Sequence, residues 1–332
     1  MPQRAAIPYI RRMKNIVVLG GSGFVGAPVC EHLVRAGWQL TVPTRRRRHA
    51  QGIQHLPGLT VLEMDVHDEA ALTAAMAGHS AVLNLVAILH GDAAAFDRVH
   101  VQLVEKIARA CVANGVGHLV HISALGADPA RAGTAPSNYL RSKSAAEAAL
   151  VRTAQTTQTT QTAQGHPPLR VSVLRPSVIF GAHDQFMNVF AKLQAIFPVI
   201  PLAGADARFQ PVWVCDVAQA VLQVLSMQAV DSVRTWELVG PDVLRLRDLV
   251  HMAGVFSGAG GGRGRPIVGL PMWAARIQAF VMERAPGAPL MSRDNLDSMR
   301  VDNVATPGMP GLESLGIRAA ALAPVARAYL RR

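Results

Sequence analysis

Lys14-Asn-Ile-Val-Val-Leu-Gly-Gly-Ser-Gly-Phe-Val-Gly26 decides the fold. The apolar run Ile16 to Leu19 reads as a buried strand. It ends in Gly20, Gly23 and Gly26, spaced G-x-x-G-x-x-G. Val25 to Ala36 is amphipathic and stops at Gly37, a residue suited to the position just past a helix. Strand, glycine turn and helix are the context in which such a motif carries meaning. Gly20 permits the tight turn, Gly23 lets a pyrophosphate approach the backbone, and Gly26 lets the helix pack on the strand. The free N–H groups and the dipole at the helix start favour an anion. A glycine-rich turn with no ligand is the plainer alternative, and the flanking elements favour a dinucleotide. No Gly-Lys-Ser/Thr follows, which excludes a P-loop.

The chain is 332 residues long, enough for one large α/β domain or a domain with a smaller lobe. Half of it is hydrophobic and 17% is charged, as a chain with a sizeable core requires. The net charge of +11 fits an anionic partner such as a nucleotide, an anionic lipid surface or nucleic acid. An arginine-rich proteome explains it equally well. Cys30, Cys111 and Cys215 lie far apart, make no metal spacing or disulfide framework, and point to a reducing compartment. No metal is expected. Residues 1–13 are basic and free of acids and are read as a tail. A transit-like segment, or sequence upstream of a start at Met13, are the alternatives. No apolar run reaches the ~18 residues of a membrane span. The expected location is cytoplasmic, with peripheral contact to an inner membrane left open.

Gln39 to Pro43 reads as a second strand. Thr44-Arg-Arg-Arg-Arg48 follows, at the place where a fold preferring NAD carries an acid; Arg45 lies 19 residues past Gly26. A carboxylate there would repel a ribose 2′-phosphate, whereas guanidinium groups bind it. NADP(H) is therefore the expected cofactor, held by Arg45 and Arg46, with Arg47 and Arg48 solvated. Nucleic acid is not expected. A third strand, Leu59 to Met64, leads to Asp65 and Val66, near the adenine in such a fold. Asp65 has a second reading as the cap of a helix from Glu69 to Ala77. A strand Ala81 to Ala87, a helix Phe96 to Ala113 and a strand His118 to Ile122 continue the alternation and deliver Ser123. Right-handed βαβ units and a parallel sheet follow.

Tyr139 and Lys143 share a face of the helix that opens at Asn138. A nearby ammonium favours a phenolate, so Tyr139 is a candidate acid or base near neutral pH. With Ser123 they form the candidate catalytic set. At this point the chain resembles the extended short-chain dehydrogenases/reductases. Leu19-Gly-Gly-Ser-Gly-Phe-Val-Gly26, Leu174-Arg-Pro-Ser-Val-Ile-Phe-Gly181 and Pro211-Val-Trp-Val-Cys-Asp-Val-Ala218 are similar to that family's hallmarks, with Leu19 in place of a threonine. His121-Ile-Ser-Ala-Leu-Gly126, Tyr139-Leu-Arg-Ser-Lys143 and Ser292-Arg-Asp-Asn-Leu296 are similar to an atypical branch. That branch holds the accessory subunit of respiratory complex I, its bacterial relatives and proteins linked to ubiquinone metabolism.

The resemblance implies an α/β fold, a Rossmann-type doubly wound parallel sheet with a smaller C-terminal substrate lobe. Residues 14–181 would be mainly core and residues 182–332 mainly lobe, with some segments returning to the core. It implies tightly held NADPH, touched by Gly20, Ser22, Gly23, Phe24, Val25, Gly26, Arg45, Arg46, Asp65, Val66, Leu85, Ala87, Lys143 and Pro176. Lys143 would contact the ribose hydroxyls. The implied role is partly structural, in or beside a respiratory membrane complex. The alternative is a soluble NADPH-dependent reductase or nucleotide-sugar epimerase/dehydratase. Active extended members carry Ser or Thr where this chain has Leu125, which cannot polarise a carbonyl.

Gln155 to Gln164 is polar and repetitive and reads as an inserted loop before a strand Leu169 to Leu174. Phe186 to Ile196 reads as a helix, and Val217 to Met227 as a helix capped by Asp216. Thr235 to Val239 reads as a strand, Leu246 to Phe256 as a helix, and Ser257 to Arg265 as a flexible loop. Met272 to Met282 reads as a helix that either covers the cleft or meets a partner or bilayer.

Overall fold

In the computed structural model, residues 14–159, 165–227, 231–284 and 291–331 are described. The basic segment 1–13 lies outside them.

Seven parallel strands form the sheet: β1 (Asn15–Leu19), β2 (Gln39–Thr44), β3 (Leu59–Glu63), β4 (Ala81–Asn84), β5 (His118–Ile122), β6 (Arg170–Pro176) and, later in the chain, Val233–Leu238. The spatial order is Val233–Leu238, β6, β5, β4, β1, β2, β3. Two arms run outward from β1, so the C-terminal ends of β1 and β4 flank the point where the chain reverses direction across the sheet. The central strands β1, β4, β5 and β6 are buried on both faces, whereas the edge strand β3 is largely exposed, and alternate residues of the central strands serve different cores. In β1, Ile16 and Val18 pack with α1 (Gly26–Arg35) and the later helix Val214–Ser226. Val17 and Leu19 pack on the other face, with α2 (Glu69–Met76), α3 (Leu103–Ala113) and α4 (Asn138–Thr159). This is the two-layered burial that helices on both sides of a parallel sheet impose.

A third core lies outside the sheet. It joins α5 (Met187–Ile196), a short strand β7 (Ile200–Leu202), α7 (Leu246–Phe256) and α10 (Leu322–Leu330). Between these come α6 (Val214–Ser226) and β8 (Val233–Leu238), which return to the sheet. The strand β9 (Ile267–Gly269) pairs in parallel with β7 and leads into α8 (Met272–Met282); α9 (Arg293–Ser298) follows.

Two expectations are corrected. The Gln/Thr repeat begins as helix, not loop: α4 runs to Thr159, and residues 160–164 lie outside the described ones. Ala146, Leu150 and Ala154 keep one face of α4 on the core, and Thr153, Thr156 and Thr159 each bond the carbonyl four residues back. Hydroxyls satisfied this way remain compatible with a helix. Asp216 does not cap α6. Trp213 holds that position, and Asp216 sits in the first turn, where its carboxylate accepts the Ala320 N–H at 2.8 Å. No helix among the described residues is long and apolar enough to cross a membrane.

Candidate functional site

The glycine turn is built by contact and by φ. Gly20 has φ +81°, and a side chain there would press on Leu85 at the end of β4. A Cβ on Gly26 would collide with the Gly20 carbonyl. At Gly23 it would meet only that carbonyl oxygen, at 3.3 Å. Val25, at the start of α1, makes no side-chain cap, and the first turn carries no acid. An anion can therefore approach both the helix start and the Gly23 backbone. Ser22, Phe24 and Val25 are half-buried around this turn.

Arg45 and Arg46 follow β2 directly and are exposed. Arg47 is less free than expected: its N–H reaches the Glu63 carboxylate at 3.1 Å and its guanidinium the Val61 carbonyl at 3.5 Å. Asp65 does not cap α2. Asp68 does, through the N–H groups of Ala70 and Ala71, while Asp65 accepts from the His67 N–H at 3.0 Å. Val66, Leu85 and Ala87 line the same C-terminal sheet edge past β3 and β4. Pro176 ends β6 and is buried; its carbonyl accepts the Leu125 N–H at 2.9 Å. Leu125 is itself buried, at 3% exposure.

Tyr139 lies in the first turn of α4, whose N-terminal N–H groups are all engaged. Ser137 Oγ accepts from Leu140, and the Asp294 carboxylate, from α9, accepts from Asn138 at 2.6 Å and Tyr139 at 3.1 Å. A charged cap brought from 155 residues away fixes the helix that carries Tyr139. The ring stands edge-on to Phe96 and His100, with centroids 6.0 and 5.5 Å away. His100 lies in a π-helical turn, Asp97–Gln102, a geometry that recurs at functional sites. Its Nε2 accepts the Ile88 N–H, so Nδ1 carries the proton and faces Ser142 Oγ at 2.8 Å. Burial then holds His100 down at about 3.

The expected phenolate shift is absent. Desolvation pushes Tyr139 up to about 12 and Lys143 down to about 8. The Lys143 ammonium donates instead to the Ile122 carbonyl at 3.1 Å. Near it lies a buried polar group in which Asn84 and His121, neither of them an expected site residue, join the expected Ser123. Asn84 Oδ1 accepts from Val86, so its amide nitrogen donates to His121 Nδ1 at 3.2 Å. This leaves His121 Nε2 as N–H. That nitrogen and Ser123 Oγ are buried with no partner among the described residues. Orphaned polar atoms beside the glycine turn and Lys143 suit a ligand rich in hydroxyl and amide groups. The residues present thus fit a nicotinamide dinucleotide.

A cleft of about 870 Å³ opens beside Tyr139, between His90 to Ala93 on one side and α8 and α9 on the other. Its charges are mostly paired: Arg276 with Asp297 at 3.2 Å and Arg293 with Glu283 at 2.9 Å. His90 Nδ1, on its wall, is buried without a partner among the described residues.

Fold and site define a Rossmann-type NAD(P)-binding protein. A family described as NAD(P)H-binding matches residues 20–160. The chain is homologous to a subunit of respiratory complex I. It is 28% identical over 332 residues to the mouse protein "NADH dehydrogenase [ubiquinone] 1 alpha subcomplex subunit 9, mitochondrial", covering 95% of this chain and 79% of that protein. The Arabidopsis thaliana protein of the same name is 28% identical over 244 residues, 71% of this chain. There the chain spans just over half of the relative's length, 56%. Among solved structures, the Escherichia coli NADPH-dependent quinone oxidoreductase QOR2 complexed with NADPH superimposes with a TM-score of 0.69. The two are 19% identical over 94% of this chain and 98% of that one, a likeness of fold.

Proposed function

We propose that this chain is an NADPH-holding accessory subunit or assembly factor of a quinone-linked membrane complex, with little turnover of its own. Leu125, buried at 3% exposure, carries the reading: the resemblance puts a serine or threonine at this position in active members, and leucine cannot orient a substrate carbonyl. The likeness to complex I subunits supports that role, and the intact Tyr139/Lys143 pair supports the second reading, a soluble NADPH-dependent reductase or epimerase/dehydratase.

In this reading the glycine turn and α1 hold the pyrophosphate, Arg45 and Arg46 the 2′-phosphate, and Asp65 and Val66 border the adenine. Lys143 leaves the Ile122 carbonyl to bond ribose hydroxyls, and Ser123 and Tyr139 face the nicotinamide side. A bound dinucleotide supplies a hydride. Orienting an acceptor for it falls to Tyr139 and Ser123 alone. Loss of one oriented donor lowers rates by ~10²–10³-fold.

Two outcomes are expected. NADPH binds more tightly than NADH, and Arg45→Asp narrows the gap by about tenfold, the lower end of a charge-assisted contact worth ~1.5–3 kcal/mol. Calorimetric titration giving equal affinities for the two nucleotides would remove the assignment. Second, the purified protein oxidises NADPH slowly against a panel of quinones, aldehydes, ketones and nucleotide sugars, followed by absorbance. Fast turnover of any panel member, lost in Tyr139→Phe, would establish the reductase reading instead.

A further inference from the structure

Helix α8 is packed the opposite way to an ordinary surface helix. Its buried residues are small: Ala275 and Ala279 sit against Ala203 and Leu296. Its large apolar side chains face out. Trp273 is 70% exposed, Ile277 56%, Phe280 41% and Val281 62%. The spacing of these four places them on one face. The helix is apolar on both sides, and among the described residues only the weaker side is covered. Exposed apolar surface of this kind marks an interaction site. It continues onto the neighbouring strands, where Val268 of β9 is 53% exposed, and Gln278 ties α8 to the Pro201 carbonyl of β7 at 3.3 Å.

Arginines border this face. The Arg284 guanidinium stacks on the Phe280 ring, 3.5 Å from its centre, and donates to the Phe280 carbonyl at 3.4 Å. Arg263 and Arg265, with His251, line a cavity of about 430 Å³ whose wall includes Ile267 and Gly269 of β9, the strand that leads into α8. The nearby acids are engaged. Asp206 pairs with Arg247 at 2.7 Å, Glu283 with Arg293 at 2.9 Å, and Asp248 accepts the Arg245 N–H at 3.2 Å.

We propose that this face docks the protein peripherally on an anionic phospholipid surface. The row Trp273, Ile277 and Phe280 enters the boundary between headgroups and acyl chains, and Arg263, Arg265 and Arg284 meet lipid phosphates. An apolar face with tryptophan and flanking arginines is the composition of an interfacial helix. A second copy of this chain would oppose arginine to arginine, whereas an anionic bilayer complements both the apolar row and the guanidinium groups. The net charge of +11 adds attraction at longer range. This deepens the membrane-linked part of the proposed function.

The test is sedimentation of the purified, NADPH-loaded full chain with phosphatidylcholine vesicles, with and without phosphatidylserine. Wild type is expected to bind the anionic vesicles, weakly the neutral ones, and less as salt is raised. Ile277→Glu is expected to weaken binding by about tenfold or more, and so is the double variant Arg263→Glu/Arg265→Glu, which reverses two charges near the surface. All three side chains lie outside the nucleotide site, so thermal melting and NADPH titration should match wild type. Folded wild type that leaves both vesicle types unbound would overturn the proposal, as would binding that Ile277→Glu does not change. So would a protein-only interface, seen as no vesicle binding while Ile277→Glu blocks entry into a membrane complex. Vesicle binding without nucleotide binding would instead sink the proposed function and leave the docking face standing.

Discussion

Glu147→Ala is expected to lower the unfolding free energy by about 3–5 kcal/mol, the range for breaking a buried ion pair from one side. Glu147 on α4 holds Arg175 on β6 through three hydrogen bonds of 3.0, 3.2 and 2.6 Å. The two side chains are only 2% and 12% exposed, so the stranded guanidinium could not regain water. Substituting both partners, Glu147→Leu with Arg175→Met, should restore much of the loss, because no charge is then left behind. Urea unfolding measures both. A loss below ~1 kcal/mol, the range of solvent-exposed pairs, would show that the pair is open to solvent. The effect extends to Lys143, one turn earlier. Glu147 opposes the burial that lowers Lys143 to about 8. The folded chain holds that proton less firmly than the unfolded chain does. The destabilisation is full below about pH 8 and fades as pH rises toward 10.5, so the nucleotide-free protein gains stability from this group across that window.

The parts of the fold that were readable share one property: their signal is local. The glycine turn is a contiguous motif. The parallel sheet follows from short apolar runs alternating with amphipathic ones, and α7 and α8 end where their periodicity ends. What escaped depends on distant partners. Asp294 caps the helix of Tyr139 across a sequence gap that no spacing rule bridges. His121 opens the motif His121-Ile-Ser-Ala-Leu-Gly126, yet its tautomer is set by Asn84 on a neighbouring strand. His100 is brought against Tyr139 by a π turn, which no residue spacing in the sequence marks. The Tyr139/Lys143 pair was legible as a helix face, but its electrostatics were not, because burial outweighs a charge that is already engaged by Ile122. The alternation of apolar residues in α8 was also legible. Which side faced inward was decided by Ala203 and Leu296, which the helix pattern does not contain.

Gly23→Val is expected to abolish nucleotide binding while the protein stays folded, and the contrast with its neighbours is what makes it informative. Gly20 needs a positive φ and touches β4, and Gly26 touches the Gly20 carbonyl, so side chains at either position would disrupt the turn itself. Gly23 has neither constraint. Its N–H donates to the Gly20 carbonyl at 3.1 Å and its carbonyl accepts the Ala27 N–H at 3.0 Å, bonds that a valine backbone also makes. A Cβ there meets one oxygen at 3.3 Å, which a shift of a few tenths of an ångström relieves. The remaining methyl groups would occupy the side from which a pyrophosphate reaches the backbone. Affinity for NADPH should fall by ~100-fold or more, equivalent to ~2.7 kcal/mol. Thermal melting with and without NADPH separates the two effects. At a hundredfold excess over its dissociation constant, a ligand stabilises a protein by ~2.7 kcal/mol, so wild type should shift upward and the variant should not. If the folded variant binds NADPH as wild type does, the nucleotide does not lie on the turn between β1 and α1, and every residue assigned to it from Gly20 to Pro176 loses its role.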